Sequence, residues 1–349
     1  MNALNKIIED DLEYIYSQDL NWERFRNKTV FISGATGFLP AYLIHTFLYL
    51  NDKLKLDIKV IGLARNELKA KEKYSGELKR NDFVLIYQDV CEPVNYNEKI
   101  DFIIHAASQA SPKFYGSDPV GTLNANVLGT NNLLHLAKKN SVESFLFFST
   151  SEVYGAVPES QIPTKEDEFG YLDPAKVRSC YGESKRLGET MCVSWHHQFN
   201  IPVKIVRPFH TYGPGMDLND GRVYADFISD IVQNRNIEMK SDGHAMRAFC
   251  YISDATVAFI TVLLNGINGE AYNSGNPGQE ISILDLAEKL VEMFPEKKLN
   301  VIVQKNTNTG YLRSNVSRVC PDITKISLLG WKPEISIETG FRKTIMSYA

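Results

Sequence analysis

Apolar residues recur along this chain in two rhythms. Between residues 3 and 18, Leu4, Ile7, Ile8, Leu12, Ile15 and Tyr16 fall at helical spacing, which predicts an amphipathic leader helix. From residue 29 the pattern changes to short, continuous apolar runs separated by longer helical stretches. The runs 29–33, 56–63, 83–87, 100–105, 145–148 and 203–206 read as strands buried on both faces. Long helices are predicted over 120–139 and through Tyr181 to about His197. Strand and helix alternating over 29–206 predict a parallel, doubly wound sheet. Past Arg207 the alternation breaks into turn-rich segments, a helix over 223–233 and two short α/β pieces near the end.

The punctuation around the first strand adds chemistry. TVFIS runs into GATGFLP and then an apolar helix. Gly34 and Gly37 permit a tight turn and close backbone approach to a pyrophosphate, with free N–H groups at the helix start. Pro40 stands where a third glycine would be usual, in a first turn that tolerates proline. After the second strand the sequence is Ala64-Arg65-Asn66, with no carboxylate for an adenosine ribose. Arg65 suits a 2′-phosphate instead, so both NAD and NADP are open. Asp89 and Val90 follow the third strand, placed to meet an adenine. Ala106 and Ala107 follow the fourth, small enough for the cofactor to approach.

The division expected is a helical extension over 1–28 and a dinucleotide-binding domain over 29–206. A segment at about 245–265 returns to that domain, and 207–349 is mainly a substrate lobe. The fold class is α/β: a Rossmann-like doubly wound parallel sheet with a smaller C-terminal α/β lobe.

Composition narrows the setting. A net charge of −4 gives no sign of a nucleic-acid or membrane surface. The longest apolar stretch, 38–50, is too short to span a bilayer, and the start lacks a signal-peptide core. Five cysteines show no paired metal spacing, so no metal is expected and a reducing cytoplasm is.

The reacting groups are read from FSTSEVYG and RSCYGESKR. Tyr181 and Lys185 lie one helical turn apart on one face. An ammonium near a phenol lowers its pKa from roughly 10 toward neutrality. Such a tyrosine can take a proton from a sugar hydroxyl while a nicotinamide takes the hydride, and a hydroxyl such as that of Thr150 can hold the sugar oxygen in line. Arg222 and Arg247 sit in turn-rich segments beside apolar elements, as diphosphate or carboxylate binders do.

In order and spacing, GATGFLP, HAA at 105–107, NVLGTNN at 126–132, STSEVYG, YGESK, RPFHTYGP at 207–214 and MRAFCYISD at 246–254 resemble the extended short-chain dehydrogenase/reductases. These are the nucleotide-sugar epimerases, dehydratases and decarboxylases. The TSE triplet, VRSCY, NDGRV, RAFCYISD and NSGNP are most similar to UDP-glucuronate decarboxylases.

The resemblance implies a UDP-linked sugar substrate, a homodimer paired through the helices 120–139 and Tyr181–His197, and oxidation at C4 to a transient ketone. It implies Tyr181 as base, Lys185 on the nicotinamide ribose, Thr150 at the 4-hydroxyl, and Ser151 and Glu152 at the carboxylate or a later proton transfer. Implied cofactor contacts are Gly34, Thr36, Gly37, Phe38, Leu39, Arg65, Asp89, Val90, Ala106, Ala107, Ser149, Tyr181, Lys185 and Pro208. Implied substrate contacts are Arg178, His210, Arg222, Arg247 and Arg313.

His210 stands where the family supplies an asparagine, and the segment after HAA also departs from the decarboxylase pattern. C4 epimerisation stays open as an alternative. Dehydration ranks below it, because Ser151 replaces the aspartic acid that dehydratases use. A non-catalytic cofactor-binding scaffold is disfavoured by the intact Thr150, Tyr181 and Lys185.

Overall fold

The computed structural model describes residues 3–303 and 316–348. Arg313 lies outside the described residues. The centre is a seven-stranded, all-parallel sheet. Its strands are β1 (Thr29–Ser33), β2 (Lys59–Ala64), β3 (Phe83–Tyr87), β4 (Phe102–His105), β5 (Ser144–Phe148), β6 (Val203–Pro208) and a last strand, Ala271–Ser274. In space the order is β3, β2, β1, β4, β5, β6 and Ala271–Ser274. The winding reverses between β1 and β4, where open α/β sheets hold their ligands beyond the strand ends.

Alternation along β1 shows why these runs are strands. Val30 and Ile32 point into one apolar core with the helices Phe38–Leu54 and Ile252–Asn265. Phe31 points into the other, with Leu133, Leu134 and Ala137 of the helix Pro119–Asn140. A period of two thus feeds both faces.

The second strand begins three residues later than its apolar run. Lys55 and Asp57 take left-handed φ values of 53°, which end the preceding helix and hold the chain in a turn. Leu56 and Ile58 remain fully buried, as core plugs rather than ladder members.

Beyond β6 the chain leaves the sheet and returns. The strand Met246–Tyr251 joins a separate small sheet with His210–Tyr212, Glu280–Ser282 and Arg318–Val319. The helix Ile252–Asn265 then covers the main sheet, and Ala271–Ser274 pairs with β6. The returning segment therefore reaches residue 274, further than the pattern at 245–265 suggested.

The N-terminal helix Ala3–Tyr16 is bound into this body by buried carboxylates. Asp11 accepts hydrogen bonds from Tyr42 (3.1 Å) and Tyr251 (2.8 Å) and pairs with Lys343 at 2.8 Å. Tyr14 donates to Asp254 at 2.7 Å, which also accepts from the N–H groups of Glu334 and Ile335. One helix thus ties the nucleotide half to the C-terminal segments. Asp11→Ala leaves two buried hydroxyls and an ammonium without their acceptor. It is expected to lower stability by about 2–4 kcal/mol in urea denaturation. A loss within about 0.5 kcal/mol, the range of ordinary surface substitutions, would mean the helix is only an appendage.

Candidate active site

The strand ends at the reversal form the floor. Ser33, the last residue of β1, accepts hydrogen bonds from the N–H groups of both Ala106 and Ala107 at 3.1 Å. Its hydroxyl also meets His105 Nδ1 at 2.9 Å, and His105 Nε2 meets Thr130 at 3.1 Å. His105 is thereby a buried strut, kept neutral by burial with its pKa down at about 3.

Gly34 has φ +72°, and a Cβ there would lie 2.7 Å from the Ala107 Cα. Only glycine permits that approach. The loop closes with Gly37 N–H donating to the Gly34 carbonyl at 2.8 Å, and Phe38 and Leu39 open the helix Phe38–Leu54. Pro40 is its third residue, where no intrahelical donor is needed. The departure from glycine therefore leaves the helix start intact.

Thr36 lies in this loop, and its carbonyl accepts from Lys73 at 3.4 Å. Arg65, exposed after β2, has Nη1 3.7 Å from Asp89 after β3. Burial works against the charge of Asp89, but the Cys91 N–H at 2.9 Å and Arg65 hold its pKa below the usual carboxylate value. The carboxylate absent after β2 is thus present one strand over. Val90 is buried beside Gly129, and Asn132 donates to its carbonyl at 3.0 Å. Ser149 ends the run at β5 with its Oγ buried and lacking a protein partner. Pro208 closes β6. The glycine cradle, the free helix N-terminus and the unsatisfied Ser149 hydroxyl fit a dinucleotide.

The candidate reacting groups come from two elements. After β5, Thr150 caps the short helix Ser151–Tyr154. The helix Ser179–Phe199 carries Tyr181 and Lys185. This helix lies close on β5, since a Cβ on Gly188 would come within 2.5 Å of the Phe147 ring. Lys185 is buried, and its ammonium donates to the Phe148 carbonyl at 2.6 Å. Burial brings its pKa down to about 7.

Tyr181 differs from the expectation drawn from spacing. Its phenol is pushed up to about 12, first by burial and then by the negative charge of Glu152. The neighbouring Thr150 hydroxyl and the Arg222 charge pull it back. Lys185 Nζ is 6.0 Å from the Tyr181 ring centroid and is held by a carbonyl, so the chain's own ammonium does not depress the phenol.

Glu152 is gripped by Arg178, Nη1 to Oε2 at 2.7 Å and Nη2 to Oε1 at 3.4 Å. Arg178, expected at the substrate, therefore meets Glu152 with both nitrogens of its fork. Arg222 pairs with Asp220 and donates to the Ala110 carbonyl at 2.6 Å. Arg247 donates to the carbonyls of Met246 (2.7 Å), Val316 (2.8 Å) and Ser317 (3.1 Å). His210 sits in the field of both arginines. Burial first, then those two charges, drive its pKa well below the ordinary value. Its Nδ1 is buried without a protein partner.

Two contributors escaped the sequence reading. Tyr115, 1% exposed, stacks on Tyr181 with centroids 4.9 Å apart and planes 14° from parallel. It directly follows the segment after HAA whose pattern departs from the decarboxylases, and that departure is the nearest signal in the sequence. Arg207 in β6 forks onto Glu189 of the Tyr181 helix at 2.7 and 2.8 Å and also donates to the Tyr154 hydroxyl at 2.8 Å. It braces both elements that carry the reacting groups.

This fold and site define an NAD-dependent enzyme of nucleotide-sugar chemistry: the chain belongs to the NAD dependent epimerase/dehydratase family, whose model matches residues 30–275. UDP-glucuronic acid decarboxylase 3 of Arabidopsis thaliana is 36% identical over 324 residues, covering 90% of this chain and 87% of that protein. UDP-glucuronic acid decarboxylase 1 of Xenopus tropicalis is 36% identical over 323 residues, covering 91% and 71%. Among solved structures, the fold matches UDP-glucose 4-epimerase of Thermotoga maritima, with a TM-score of 0.77, 22% identity and coverage of 92% and 98%. It also matches UDP-glucuronic acid 4-epimerase of Bacillus cereus, with a TM-score of 0.73, 24% identity and coverage of 92% and 98%.

Proposed function

We propose that this protein decarboxylates UDP-glucuronate through a 4-keto intermediate. The observation that carries this reading is the meeting of Thr150, Glu152 and Tyr181 at the sheet's C-terminal edge, with a serine where dehydratases place an acid. The decarboxylase relatives support the same choice. NAD, when bound, supplies the acceptor and later the donor of hydride.

Thr150 holds the sugar 4-hydroxyl, and Tyr181 takes its proton. The ketone at C4 makes the C5 carboxylate that of a β-keto acid. The C5–C6 bond then breaks, its electron pair passes into the enolate at O4, and carbon dioxide leaves. Glu152, with Ser151 beside it, handles the proton delivered to C5. Tyr181 returns its proton to O4 as hydride comes back. Arg222, Arg247 and the neutral His210 bind the nucleotide diphosphate end, and Arg313 is assigned to the same region on the sequence resemblance alone.

NAD is the cofactor of this reading. Arg65 supports NADP as a second choice, since its exposed guanidinium follows β2, from where an arginine can accommodate a 2′-phosphate. The protein acts as a homodimer through the helices Pro119–Asn140 and Ser179–Phe199. Exposed Val120, Leu123, Leu128, Leu187 and Val193 on those helices support that pairing. A cytoplasmic setting is supported by the five cysteines, all unbridged. No helix among the described residues is long and apolar enough to cross a membrane.

Purified protein given UDP-glucuronate and NAD is expected to yield a UDP-pentose by NMR. UDP-galacturonate as product would make the protein an epimerase that shares only the first half-reaction.

A further inference from the structure

Tyr181 is surrounded by groups of both signs from four elements. Thr150 and Glu152 face it from the segment after β5, and Tyr115 covers its ring from the helix Pro112–Ser117. Arg222 faces it from the turn before the helix Val223–Val232. Lys185 lies one turn along its own helix, and Cys180 packs beside it with Tyr115. Arg178, at the start of that helix, reaches this cluster from two sides. Its fork takes both oxygens of Glu152, and its guanidinium carbon lies 5.6 Å over the Tyr115 ring.

We propose that Arg178 is a positioning residue: its two-pronged hold on Glu152 sets the charge that faces the Tyr181 hydroxyl, and with it the pH at which the site oxidises a sugar hydroxyl. The physical reason is direct. A carboxylate near a phenol disfavours the phenolate, and a guanidinium bonded to that carboxylate offsets much of its field. The same grip fixes where Glu152 points, which matters again when a proton is delivered at C5. Arginine suits this task because its planar fork matches a carboxylate and stays charged at every working pH.

This role rests on the proposed oxidation at C4 but not on the later loss of carbon dioxide. The test therefore reads the oxidation half-reaction alone. Wild type is mixed with UDP-glucuronate and NAD in single turnover, and formation of the reduced nicotinamide is tracked by its near-ultraviolet absorbance across pH. Arg178→Gln is expected to move the acid limb of that profile up by about one unit, since the phenolate then faces an unbalanced carboxylate. Glu152→Gln is expected to move it down, and the double variant Arg178→Gln/Glu152→Gln to bring it back near wild type. Arg178→Lys keeps the charge and should hold the limb in place while slowing the step.

Thermal melting of each variant accompanies the profiles. A role confined to folding would lower the melting temperature and the rate without moving the limb. With wild type reducing the cofactor, an unmoved limb in Arg178→Gln overturns the role of Arg178 and leaves the proposed function standing. Failure of wild type to reduce the cofactor with any nucleotide-sugar overturns both.

Discussion

Tyr181→Phe is expected to lower kcat by about 10²–10⁴-fold, the range of a positioned general acid–base group. The substitution removes one hydroxyl and leaves the ring in its stack on Tyr115. Packing is conserved, so the melting temperature should stay close to wild type. Nucleotide-sugar binding should also hold, because the proposed diphosphate contacts Arg222, Arg247 and His210 are untouched. The sign of the pH dependence is set by the surroundings. Burial and Glu152 raise the phenol to about 12, so the phenolate is scarce at neutral pH. The rate of oxidation should therefore climb as pH rises from neutrality, until deprotonation saturates. A Phe variant retaining more than about a tenth of wild-type kcat lies below the range for such a group and would remove Tyr181 from its role as base.

Arg207→Ala should have the largest effect on stability. Arg207 is 3% exposed and donates to both oxygens of Glu189, to the Tyr154 hydroxyl and to the Glu166 carbonyl. Removing it strands a buried carboxylate, which costs about 3–5 kcal/mol. The damage does not stop at the ion pair. Tyr154 donates in turn to Asn273, whose amide nitrogen donates to the carbonyls of Thr164 and Asp322. That chain of bonds holds the short helix after Thr150 against the strand Ala271–Ser274. Urea denaturation should show the loss, and kcat should fall with it as Glu152 loses its support. Arg207→Met combined with Glu189→Met should recover part of the stability, because the pair is then replaced rather than broken. A loss below about 1 kcal/mol in Arg207→Ala, the value of a mere surface pair, would contradict the brace.

Much of the frame was readable from apolar runs alone. Residues 29–33 and 83–87 are strands at the expected positions, the first a continuous run buried on both faces and the second an apolar run at the sheet edge in which only Phe83 is fully covered. The strand Ala271–Ser274 was hidden. It is four residues long, and Asn273 and Ser274 read as turn residues until the hydrogen bonds that satisfy Asn273 are seen. The late start of β2 was equally invisible, since left-handed turns at Lys55 and Asp57 leave no signature in hydrophobicity.

In the site, spacing placed Tyr181 and Lys185 on one helical face but not the direction of the phenol's shift. That depends on the Phe148 carbonyl capturing the ammonium and on Glu152 arriving from another element. Arg178 gave no local sign of its hold on Glu152, for the same reason. Its partner is 26 residues away in sequence. Side chains that act through tertiary partners are the part that local pattern does not carry.

The most direct measurement uses UDP-glucuronate carrying heavy carbon in its carboxylate, incubated with the protein and NAD in deuterated water and monitored by NMR. Decarboxylation through a 4-keto intermediate requires the label to appear as bicarbonate and the UDP-pentose to carry solvent deuterium at C5. Label that stays on the sugar, with C4 inverted and no deuterium at C5, would contradict decarboxylation and make the protein a 4-epimerase.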